Sequence, residues 1–518
     1  MKKKLFTLKH VGLYLVSAAV TLGLANMGYL PFEGLIGIAA VTLAVAWVMA
    51  AEKSGYRDQL KRSRQLQNLS LFQRLFHLNP ASHGSAGFAG LNDLKQAGAI
   101  VDNGFIVGKF EGKFIRFNKP GHMITFAPTR SGKGVGHVIP NLLMHQGSVV
   151  VNDIKGENYA VTQRERRKFN KVFTFAPFNE FSSHYNPMDF IRVGTQDELD
   201  DVSLMADMLI PEEGSSDPFW DREAKNLYTA LILHVATSRP PVLRNLGEVR
   251  YLIMQSKDDF NFTIKEMTKS KNEHVRKFGA ALSATEAKVM ASILSTSRSK
   301  TAVWDSPRLQ AITSRSDFQL ADIKQAPTSL YIIIPPEYLD VYQPLIRLMV
   351  GLSLAAMTKT KGKPEKPVLF LVDEFPALGY MKPIEMGLGY LAGYGVTIWT
   401  FIQDLSQLKN TYKDKWESFL ANCSVRCAFG TNDVDTAKVL SDMLGQSTIR
   451  VKSTGQSDGG SSANFSETSR ALMTPDEIMV MPFDSQLIFI QGMRPIVAEK
   501  IMYFKDSAFA GKFDEWND

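Results

Sequence analysis

Two long apolar runs lie near the start of the chain, and neither contains a charged residue. They span residues 11–30 and 35–51 and are joined by the short segment PFEG. A bilayer core needs about 20 apolar residues in a helix, within a range of roughly 17 to 25. Lysine and arginine side chains precede the first run and follow the second, which favours a cytoplasmic position for both flanks. The pattern predicts a transmembrane helical hairpin over residues 11–51.

A cleaved signal peptide is the alternative interpretation of the first run, because lysines also precede signal sequences. The second apolar run follows at once, and no small-residue cleavage site closes the first run convincingly. We therefore favour a permanent anchor. Residues 1–10 are then a cytoplasmic N-terminus. Residues 52–80 form a basic juxtamembrane stalk that lies against anionic lipid headgroups.

Seven short runs that are apolar throughout recur along the rest of the chain. They are MITFAP, SVVVNDI, KVFTFAP, SLYIIIPP, VLFLVDEF, VTIWTFIQD and SVRCAFGT, which begin at Met123, Ser148, Lys171, Ser329, Val368, Val396 and Ser424. Because polar residues do not alternate with apolar ones, these strands should be covered on both faces, as in the mostly parallel sheet of an α/β fold. An alternating stretch around glycine turns at residues 99–118 predicts a β-hairpin before them.

No comparable apolar run occurs between residues 186 and 326, where the composition is helical instead. Stretches such as DREAKNLYTALILHVATS and EAKVMASILSTSRSKTAVW predict an all-α insertion in the α/β domain. We assign residues 81–190 and 326–518 to the two parts of the α/β domain and residues 191–325 to the all-α domain. The stretch 452–469 is rich in Gly, Ser and Thr and is typical of a surface loop.

Composition narrows the function only slightly. The chain has 518 residues, of which 45% are hydrophobic and 21% charged, so it is neither a disordered nor a collagen-like protein. The net charge of +7 fits contact with nucleic acid or an anionic membrane surface without requiring either. The two cysteines, Cys423 and Cys427, have no nearby histidine and no second pair, so buried thiols are favoured over a zinc site.

The apolar run at Met123 leads into APTRSGKG, a near match to a phosphate-binding loop. The general pattern G-x-x-x-x-G-K-[ST] has glycine first and a hydroxyl residue last, whereas Ala127 and Gly134 occupy those positions here. A buried strand, a loop and a helix start follow one another, an order that aims backbone N–H groups and the helix dipole at phosphates. Lys133 occupies the position of the lysine that reaches the β- and γ-phosphates.

Two later strand ends carry the remaining candidate chemistry. The run at Val368 ends in Asp373 and Glu374, where one carboxylate can hold Mg²⁺ and the other can polarise an attacking water. Gln403 ends the run at Val396 and can contact the γ-phosphate or that water, although a surface loop glutamine is the alternative. Together and in this order, the three motifs predict an ATPase that uses ATP and Mg²⁺.

Several blocks of the sequence carry a family resemblance between about residues 80 and 505. They include SHGSAGFAGLNDLKQAG, APTRSGKGVGHVIPNLL, VVNDIKGENY, DPFWDREAKNLYTALI, LVDEFPALG, AGYGVTIWTFIQDLSQL, FGTNDVDTAKVLSDMLG and RALMTPDEI. The chain resembles the TraG-like coupling proteins of type IV secretion systems. These are hexameric membrane ATPases that link conjugative DNA-processing complexes, or effector proteins, to the secretion channel. The resemblance implies a RecA-like P-loop NTPase domain for the sheet.

The resemblance also implies roles for individual residues. It gives the phosphate loop six residues: Thr129, Arg130, Ser131, Gly132, Lys133 and Gly134. Asp373 and Glu374 become the acidic pair, with Asp373 as the metal ligand, and Gln403 becomes the γ-phosphate sensor. Residues 153–157, here called the signature loop, lie beside the site in this family and include Asp153, Lys155, Gly156 and Glu157.

Two departures leave questions open. Ala127 and Gly134 match one branch of the family, but the usual Ser or Thr ligand to Mg²⁺ is absent, and Ser131, Thr129 or water can replace it. Some relatives carry an arginine finger between the acidic pair and the sensor glutamine, where this chain has no arginine and one lysine, Lys382. Arg426 on the following strand is the candidate finger, and an ordinary surface or core-edge arginine is the alternative.

The resemblance implies an inner-membrane coupling ATPase that recruits and translocates DNA with its relaxase. The expected partners are further copies in a homohexamer, the relaxosome and its DNA, inner-membrane components of the secretion channel, and membrane lipid. A coupling ATPase for protein effectors alone, an FtsK/HerA-type DNA pump and a non-hydrolysing nucleotide-binding scaffold are the alternatives. The basic run RERRKFNK at residues 164–171 is either a DNA-phosphate contact or a solvated helix face.

Overall fold

The computed structural model describes residues 84–211, 218–457 and 460–516. The predicted N-terminus, transmembrane hairpin and stalk, residues 1–80, lie outside the described residues. Within the described part, residues 88–445 and 471–516 belong to one compact unit, and residues 84–87 and 446–470 belong to a second.

Eleven strands form the sheet of the larger unit. The thirteen strands of the described chain are β1 (Phe105–Phe110), β2 (Lys113–Phe117), β3 (His122–Phe126), β4 (Val149–Asp153), β5 (Lys171–Phe175), β6 (Thr328–Ile333), β7 (Val368–Val372), β8 (Val396–Ile402), β9 (Cys423–Ala428), β10 (Gln446–Ser457), β11 (Gly460–Ala471), β12 (Ser485–Ile490) and β13 (Ile496–Glu499). The spatial order of the large sheet is β2-β1-β13-β12-β9-β3-β8-β7-β4-β6-β5.

The seven strands from β9 to β5 in that order run parallel, and the other four pair antiparallel. The parallel strands are the seven apolar runs identified in the sequence, so the predicted mostly parallel α/β sheet is confirmed. On β4, Val150 packs into one hydrophobic cluster while Val149 and Val151 pack into another on the opposite face. Burial on both faces is the reason that these strands are apolar throughout.

Helices cover the sheet and fill the long gap between β5 and β6. The α-helices of the described residues are α1 (Leu91–Gln96), α2 (Ile139–Met144), α3 (Glu157–Arg166), α4 (Glu198–Leu209), α5 (Pro218–Ser238), α6 (Leu246–Met254), α7 (Lys257–Met267), α8 (Glu273–Ala284), α9 (Ala287–Lys300), α10 (Pro307–Ile312), α11 (Asp322–Gln325), α12 (Leu339–Lys359), α13 (Lys382–Gly387), α14 (Leu405–Tyr412), α15 (Trp416–Asn422), α16 (Val434–Leu444) and α17 (Pro475–Met479).

The gap between β5 and β6 contains helices and no strand among the residues that the structure describes there, as the sequence predicted. Apolar side chains of α5 and α6 belong to the same hydrophobic cluster as one face of the sheet. The helical segment and the sheet accordingly fall in one compact unit. The separate all-α domain with bounds 191–325 stays a prediction.

One helical segment of the described chain, Pro336–Lys359, is long and apolar enough to cross a bilayer. Its most apolar window has a mean hydropathy of 1.3 and is 72% buried inside the protein. Helix α12 forms most of this segment, and its apolar side chains belong to the main hydrophobic cluster. These are the properties of a core helix.

The smaller unit contains strands β10 and β11, which form a two-stranded sheet. The prediction of a loop over residues 452–469 is therefore wrong, since these residues lie almost entirely in the two strands. The interpretation rested on the Gly, Ser and Thr content. The segment TIRVKST carries β-branched residues that favour a strand and were outweighed in that interpretation.

Candidate nucleotide-binding site

The candidate residues meet at one edge of the parallel sheet. Strands β3, β8 and β7 are neighbours, and the residues of interest follow their carboxyl ends. Phe126 at the end of β3 is level with Ile402 at the end of β8, so the phosphate loop and Gln403 leave the sheet side by side. Carboxyl ends of parallel strands are where ligands bind in open α/β sheets.

The phosphate loop leaves β3 through Ala127, whose buried backbone N–H donates to the carbonyl of Ile402 at 2.8 Å. The loop then turns sharply, because Arg130 and Gly132 adopt left-handed backbone angles, with φ of 62° and 90°. Left-handed residues within a turn expose successive N–H groups in a concave arrangement that suits an anion. The side chains of Thr129 and Arg130 are exposed.

The helix after the loop begins irregularly. Residues Gly134–Val138 form a π-helical turn that continues into α2. Such turns are rare and occur frequently at functional sites. A Cβ atom placed on Gly134 would meet nothing within 4 Å, so the space for the usual hydroxyl side chain exists here. Neither packing nor backbone strain explains why glycine replaces Ser or Thr at this position.

Lys133 contacts both carboxylates of the acidic pair. Its Nζ lies 2.9 Å from Oδ1 of Asp373 and also donates to Oε1 of Glu374. Gln403 Nε2 donates to the other oxygen of Glu374, Oε2, at 3.3 Å. The structure thus brings together four of the predicted catalytic residues from three separate strand ends. Lys133 and Glu374, which are in direct contact, lie 241 positions apart in the sequence.

Burial shapes the electrostatics of this cluster. Burial alone lowers the pKa of Lys133, but the charges of Asp373 and Glu374 outweigh it and raise that pKa overall. Burial raises the pKa of Asp373, although Lys133 opposes the increase. The lysine therefore stays charged and offsets part of the negative charge of two half-buried carboxylates. A ligand that draws Lys133 away leaves the acidic pair in need of another cation.

Polar groups at the end of β4 support the acidic pair from the next strand. Asn152 Nδ2 donates to the backbone carbonyl of Asp373 at 2.8 Å. The carboxylate of Asp153 accepts the N–H groups of Gly156 and Tyr159, which shapes the signature loop and the start of α3. Burial raises the pKa of Asp153 to about 7, despite its hydrogen bonds from Tyr159 and Asn158.

The backbone of Glu374 is held in an unusual conformation. Its φ and ψ of 46° and 52° are left-handed, which is uncommon for a residue other than glycine. The short 3₁₀ turn Phe375–Leu378 follows, and Ala377 N–H donates to the carbonyl of Glu374 at 2.8 Å. Gln343 on α12 donates its Nε2 to the carbonyl of Ala377 at 2.9 Å. Backbone strain of this kind clusters at active sites.

The loop offers oxygen atoms that suit Mg²⁺. The Oγ of Ser131 is buried and has no hydrogen-bond partner among the described residues. A buried hydroxyl without a partner is costly, so a ligand that pairs with it is expected. Asp373 supplies a half-buried carboxylate that contacts Lys133 of the same loop, and hard oxygen ligands of these two kinds are the ones that Mg²⁺ prefers. The residues present therefore fit the ion, with Ser131 better suited than the exposed Thr129.

The sequence is similar to known proteins along most of its length. A family model described as type IV secretory system conjugative DNA transfer matches residues 88–516. The chain is 30% identical over 498 residues to the conjugal transfer protein TraG of Escherichia coli, covering 84% of this chain and 78% of TraG. It is 29% identical to the protein VirD4 of Rhizobium radiobacter, covering 84% of this chain and 66% of VirD4.

The chain belongs to the type IV conjugative DNA transfer family. The family resemblance and the coupling function inferred from the sequence are confirmed. Membership also favours conjugative DNA transfer over the alternatives of an FtsK/HerA-type pump and a protein-only coupling ATPase.

Solved structures of the plasmid coupling protein TrwB share this fold. TrwB in complex with ADP and Mg²⁺ superposes with a TM-score of 0.63 at 15% identity, covering 83% of this chain and 97% of that one. TrwB with a non-hydrolysable ATP analogue gives the same score. At this identity the likeness establishes the mixed α/β fold with its mostly parallel sheet. The structures place ADP, Mg²⁺ and the ATP analogue in TrwB itself.

Arg426, proposed from the sequence as an arginine finger, is not brought to the Lys133 cluster. It lies within β9, level with Ile124 of β3 and Phe489 of β12. Its Nε donates to the carbonyl of Leu420 on α15 at 2.9 Å. Within this single chain Arg426 ties a helix to the sheet, and a role as a finger toward a neighbouring subunit of the family's hexamer stays a prediction.

Cys423 and Cys427, the two cysteines of the chain, lie on the same strand as Arg426. Both are free and buried, which confirms the sequence interpretation of them as buried thiols.

The basic run at residues 164–171 is partly used inside the protein. Arg166 is fully buried and donates to the hydroxyl of Ser329 at 2.9 Å and to nearby backbone carbonyls. The Nε of Arg164 donates a hydrogen bond to Oδ1 of Asp514 at 2.6 Å. Arg167 and Lys171 are exposed. The run therefore has fewer cations for DNA than the sequence suggested.

Proposed function

We propose that this coupling protein binds ATP with Mg²⁺ at the edge of the parallel sheet and hydrolyses it. The convergence of Lys133, Asp373, Glu374 and Gln403 from separate strand ends is the observation that carries the proposal. A lysine, an acidic pair and a glutamine in this order are the parts that ATP hydrolysis needs, because its catalysis consists mainly of positioning and charge stabilisation.

Each residue has a distinct task in this proposal. The N–H groups of the loop and Lys133 hold the phosphates, and Lys133 exchanges its contacts with the carboxylates for contacts with phosphate oxygens. Asp373 and Ser131 would hold Mg²⁺, which supplies charge neutralisation at the β- and γ-phosphates when bound. Glu374, released from Lys133, accepts a proton from the attacking water, and Gln403 orients that water through its contact with Glu374.

Turnover at this site drives the transfer of DNA and its bound relaxase toward a type IV secretion channel. The sequence pattern of residues 11–51 supports a position in the bacterial inner membrane, with the sheet in the cytoplasm. The resemblance to hexameric ATPases supports a homohexamer as the working form. The membership of the conjugative DNA transfer family supports DNA as the cargo.

A conjugative transfer assay with Lys133→Ala tests the proposal. Donor cells that lack their own copy of the protein receive either the wild type or the variant, and transfer to recipient cells is counted. Because Lys133 neutralises bound phosphates, we expect transfer to fall to the level of cells without the protein. Lys382→Ala, which removes an exposed lysine shortly after the acidic pair, is the matched control and should transfer normally. Wild-type transfer by Lys133→Ala at equal protein level would refute the motor function.

A further inference from the structure

Lys500 is a buried lysine behind the phosphate loop, and it belongs to no motif that is recognisable in the sequence. It follows β13 directly, and its residue is 9% exposed. Its backbone N–H donates to the carbonyl of Asp484 at 2.7 Å. This hydrogen bond joins the residue just before β12 to the residue just after β13. Strand β12 is antiparallel to both of its neighbours, β13 and β9. The start of β12 and the end of β13 therefore lie at the same edge of the sheet as the end of β9.

The ammonium group of Lys500 contacts the phosphate loop itself. Its Nζ donates to the backbone carbonyl of Ser131 at 3.3 Å and to that of Phe429 at 3.2 Å. The same atom lies 4.5 Å from the ring centre of Phe429 and 4.7 Å from that of Phe483. One side chain thus joins the phosphate loop to the loop after β9.

Among the residues that the structure describes, no carboxylate is paired with the charge of Lys500. The ion pairs within 4 Å among the described residues do not include it. Burial lowers its pKa to about 8, and Asp484 opposes this from a greater distance. The two carbonyl groups satisfy hydrogen bonds of this ammonium group but do not balance its positive charge, and burying such a charge is costly. Such a cation is expected where an anion binds nearby.

The contact with Ser131 also fixes the direction of the next N–H group. In a trans peptide the C=O and N–H bonds point in opposite directions. When Lys500 holds the carbonyl of Ser131, the N–H of Gly132 points away from Lys500. Gly132 has a left-handed φ of 90°, and a Cβ on it would meet nothing within 4 Å, so there is open space on the side where a side chain would be. Backbone N–H groups of a phosphate loop act by pointing into such an opening.

We propose that Lys500 is a positioning residue for the nucleotide: it orients the Ser131–Gly132 peptide toward bound phosphate and adds positive charge behind the loop. The inference rests on the proposed ATP site and adds to it a residue some 370 positions away from the loop. Its effect is on the affinity for the polyphosphate, because Lys500 touches the loop that holds the phosphates and has no contact with Glu374 among the described residues.

Nucleotide binding by the full chain in detergent tests this role. A fluorescent ADP analogue is titrated into the wild type, Lys500→Met, Lys500→Arg and Lys505→Met, with melting temperatures measured without nucleotide. Met keeps most of the length of the side chain and removes its charge and donors, so we expect Kd to rise about tenfold, as for the loss of one or two charge-assisted hydrogen bonds. Arg keeps both features and should stay within about threefold. The control is Lys505→Met, because Lys505 is close to Lys500 in the sequence and its ammonium group lies beside the ring of Phe504. This variant should bind the nucleotide as the wild type does.

The outcomes separate this inference from the function on which it rests. An unchanged Kd in Lys500→Met overturns the positioning role, as does a Lys500→Met chain that fails to fold, because that assigns the side chain to packing alone. Equal losses of affinity and melting temperature in the Met and Arg variants also overturn it. Lys133→Ala is measured in parallel. If Lys133→Ala loses binding while Lys500→Met does not, only this inference fails; if the wild type binds no nucleotide, the proposed function fails.

Discussion

Ala127 and Gly134, the two departures from the general phosphate-loop pattern, have different local settings. Ala127 is fully buried where the chain leaves β3, and its N–H is bonded to the carbonyl of Ile402. It is not among the residues with positive φ, so its position does not require glycine. Gly134 lies at the start of the π-helical turn with free space beside it. The first departure fits the fold, and the second removes a hydroxyl that the fold has room for.

Gly134→Ser should restore that hydroxyl without disturbing the fold. The new Cβ meets nothing within 4 Å, so we expect an unchanged melting temperature and a lower Mg²⁺ concentration for half-maximal ATP hydrolysis. The comparison variant is Gly136→Ser, whose Cβ would lie 3.2 Å from the ring of Phe429, and overpacking of this kind costs about 1–3 kcal/mol. An unchanged Mg²⁺ requirement in a folded Gly134→Ser protein would show that the metal is held without a ligand at this position.

Asp153 should make stability depend on pH. Burial raises its pKa from 3.8 to about 7, so the folded state favours the protonated carboxyl. Its contribution to stability is complete below about pH 3.8 and is lost as the pH rises through about 7. We therefore expect Asp153→Asn to gain melting temperature relative to the wild type, by a few degrees, between pH 5 and pH 8. Both proteins are measured side by side without nucleotide, and a difference that stays constant with pH would contradict this account.

The site residues that could be predicted from the sequence belong to recognisable motifs, and the one that could not be predicted does not. Asp373, Glu374 and Gln403 directly follow recognisable apolar strands, and Lys133 lies in the glycine-containing loop after another, so strand and motif identify these residues together. Lys500 carries no motif of its own. Its role depends on β13 lying two strands from β9 in the sheet, an order that the linear sequence does not specify.

Whole strands were predictable for a similar reason. The seven parallel strands are buried on both faces and are therefore uniformly apolar, a pattern that is visible in the sequence. Strands β12 and β13 were missed. β13 has four residues that alternate between buried and exposed positions, which is too short to predict a strand securely. Most of β10 and β11 was predicted as a loop, because the Gly, Ser and Thr content was given more weight than the strand preference of the β-branched residues.

Helix α12 contacts the turn after the acidic pair through Gln343. Its side chain holds the carbonyl of Ala377 in the turn that follows the strained Glu374. We expect Gln343→Ala to lower kcat about fivefold while nucleotide affinity stays unchanged, since one hydrogen bond of about 1 kcal/mol supports the placement of Glu374. Val341→Ala, an exposed change in the same turn of α12, is the control and should leave kcat unaffected. Loss of affinity without loss of kcat would place Gln343 in nucleotide binding instead.

The proposed homohexamer can be tested at the level of the whole molecule. If hydrolysis requires neighbouring subunits to act together, inactive subunits should poison active ones. Wild-type protein is mixed with increasing amounts of Glu374→Gln, and ATP hydrolysis is measured at constant total protein. We expect activity to fall more steeply than the wild-type fraction. A strictly proportional decrease would indicate that each subunit works independently.

Hydrolysis by the purified full-length chain tests the central claim most directly, namely that this variant phosphate loop and its acidic pair form an ATPase site. Phosphate release and ATP binding are measured for the wild type, Glu374→Gln and Lys133→Ala. The control is Glu385→Gln, which alters a carboxylate on α13 that forms an ion pair with Lys415. This variant should behave as the wild type does.

Because Glu374 acts on the water and Lys133 on the phosphates, Glu374→Gln should keep ATP binding and lose at least about 100-fold in turnover. Lys133→Ala should lose both binding and turnover. Turnover by Glu374→Gln and Lys133→Ala at the wild-type rate would contradict the account.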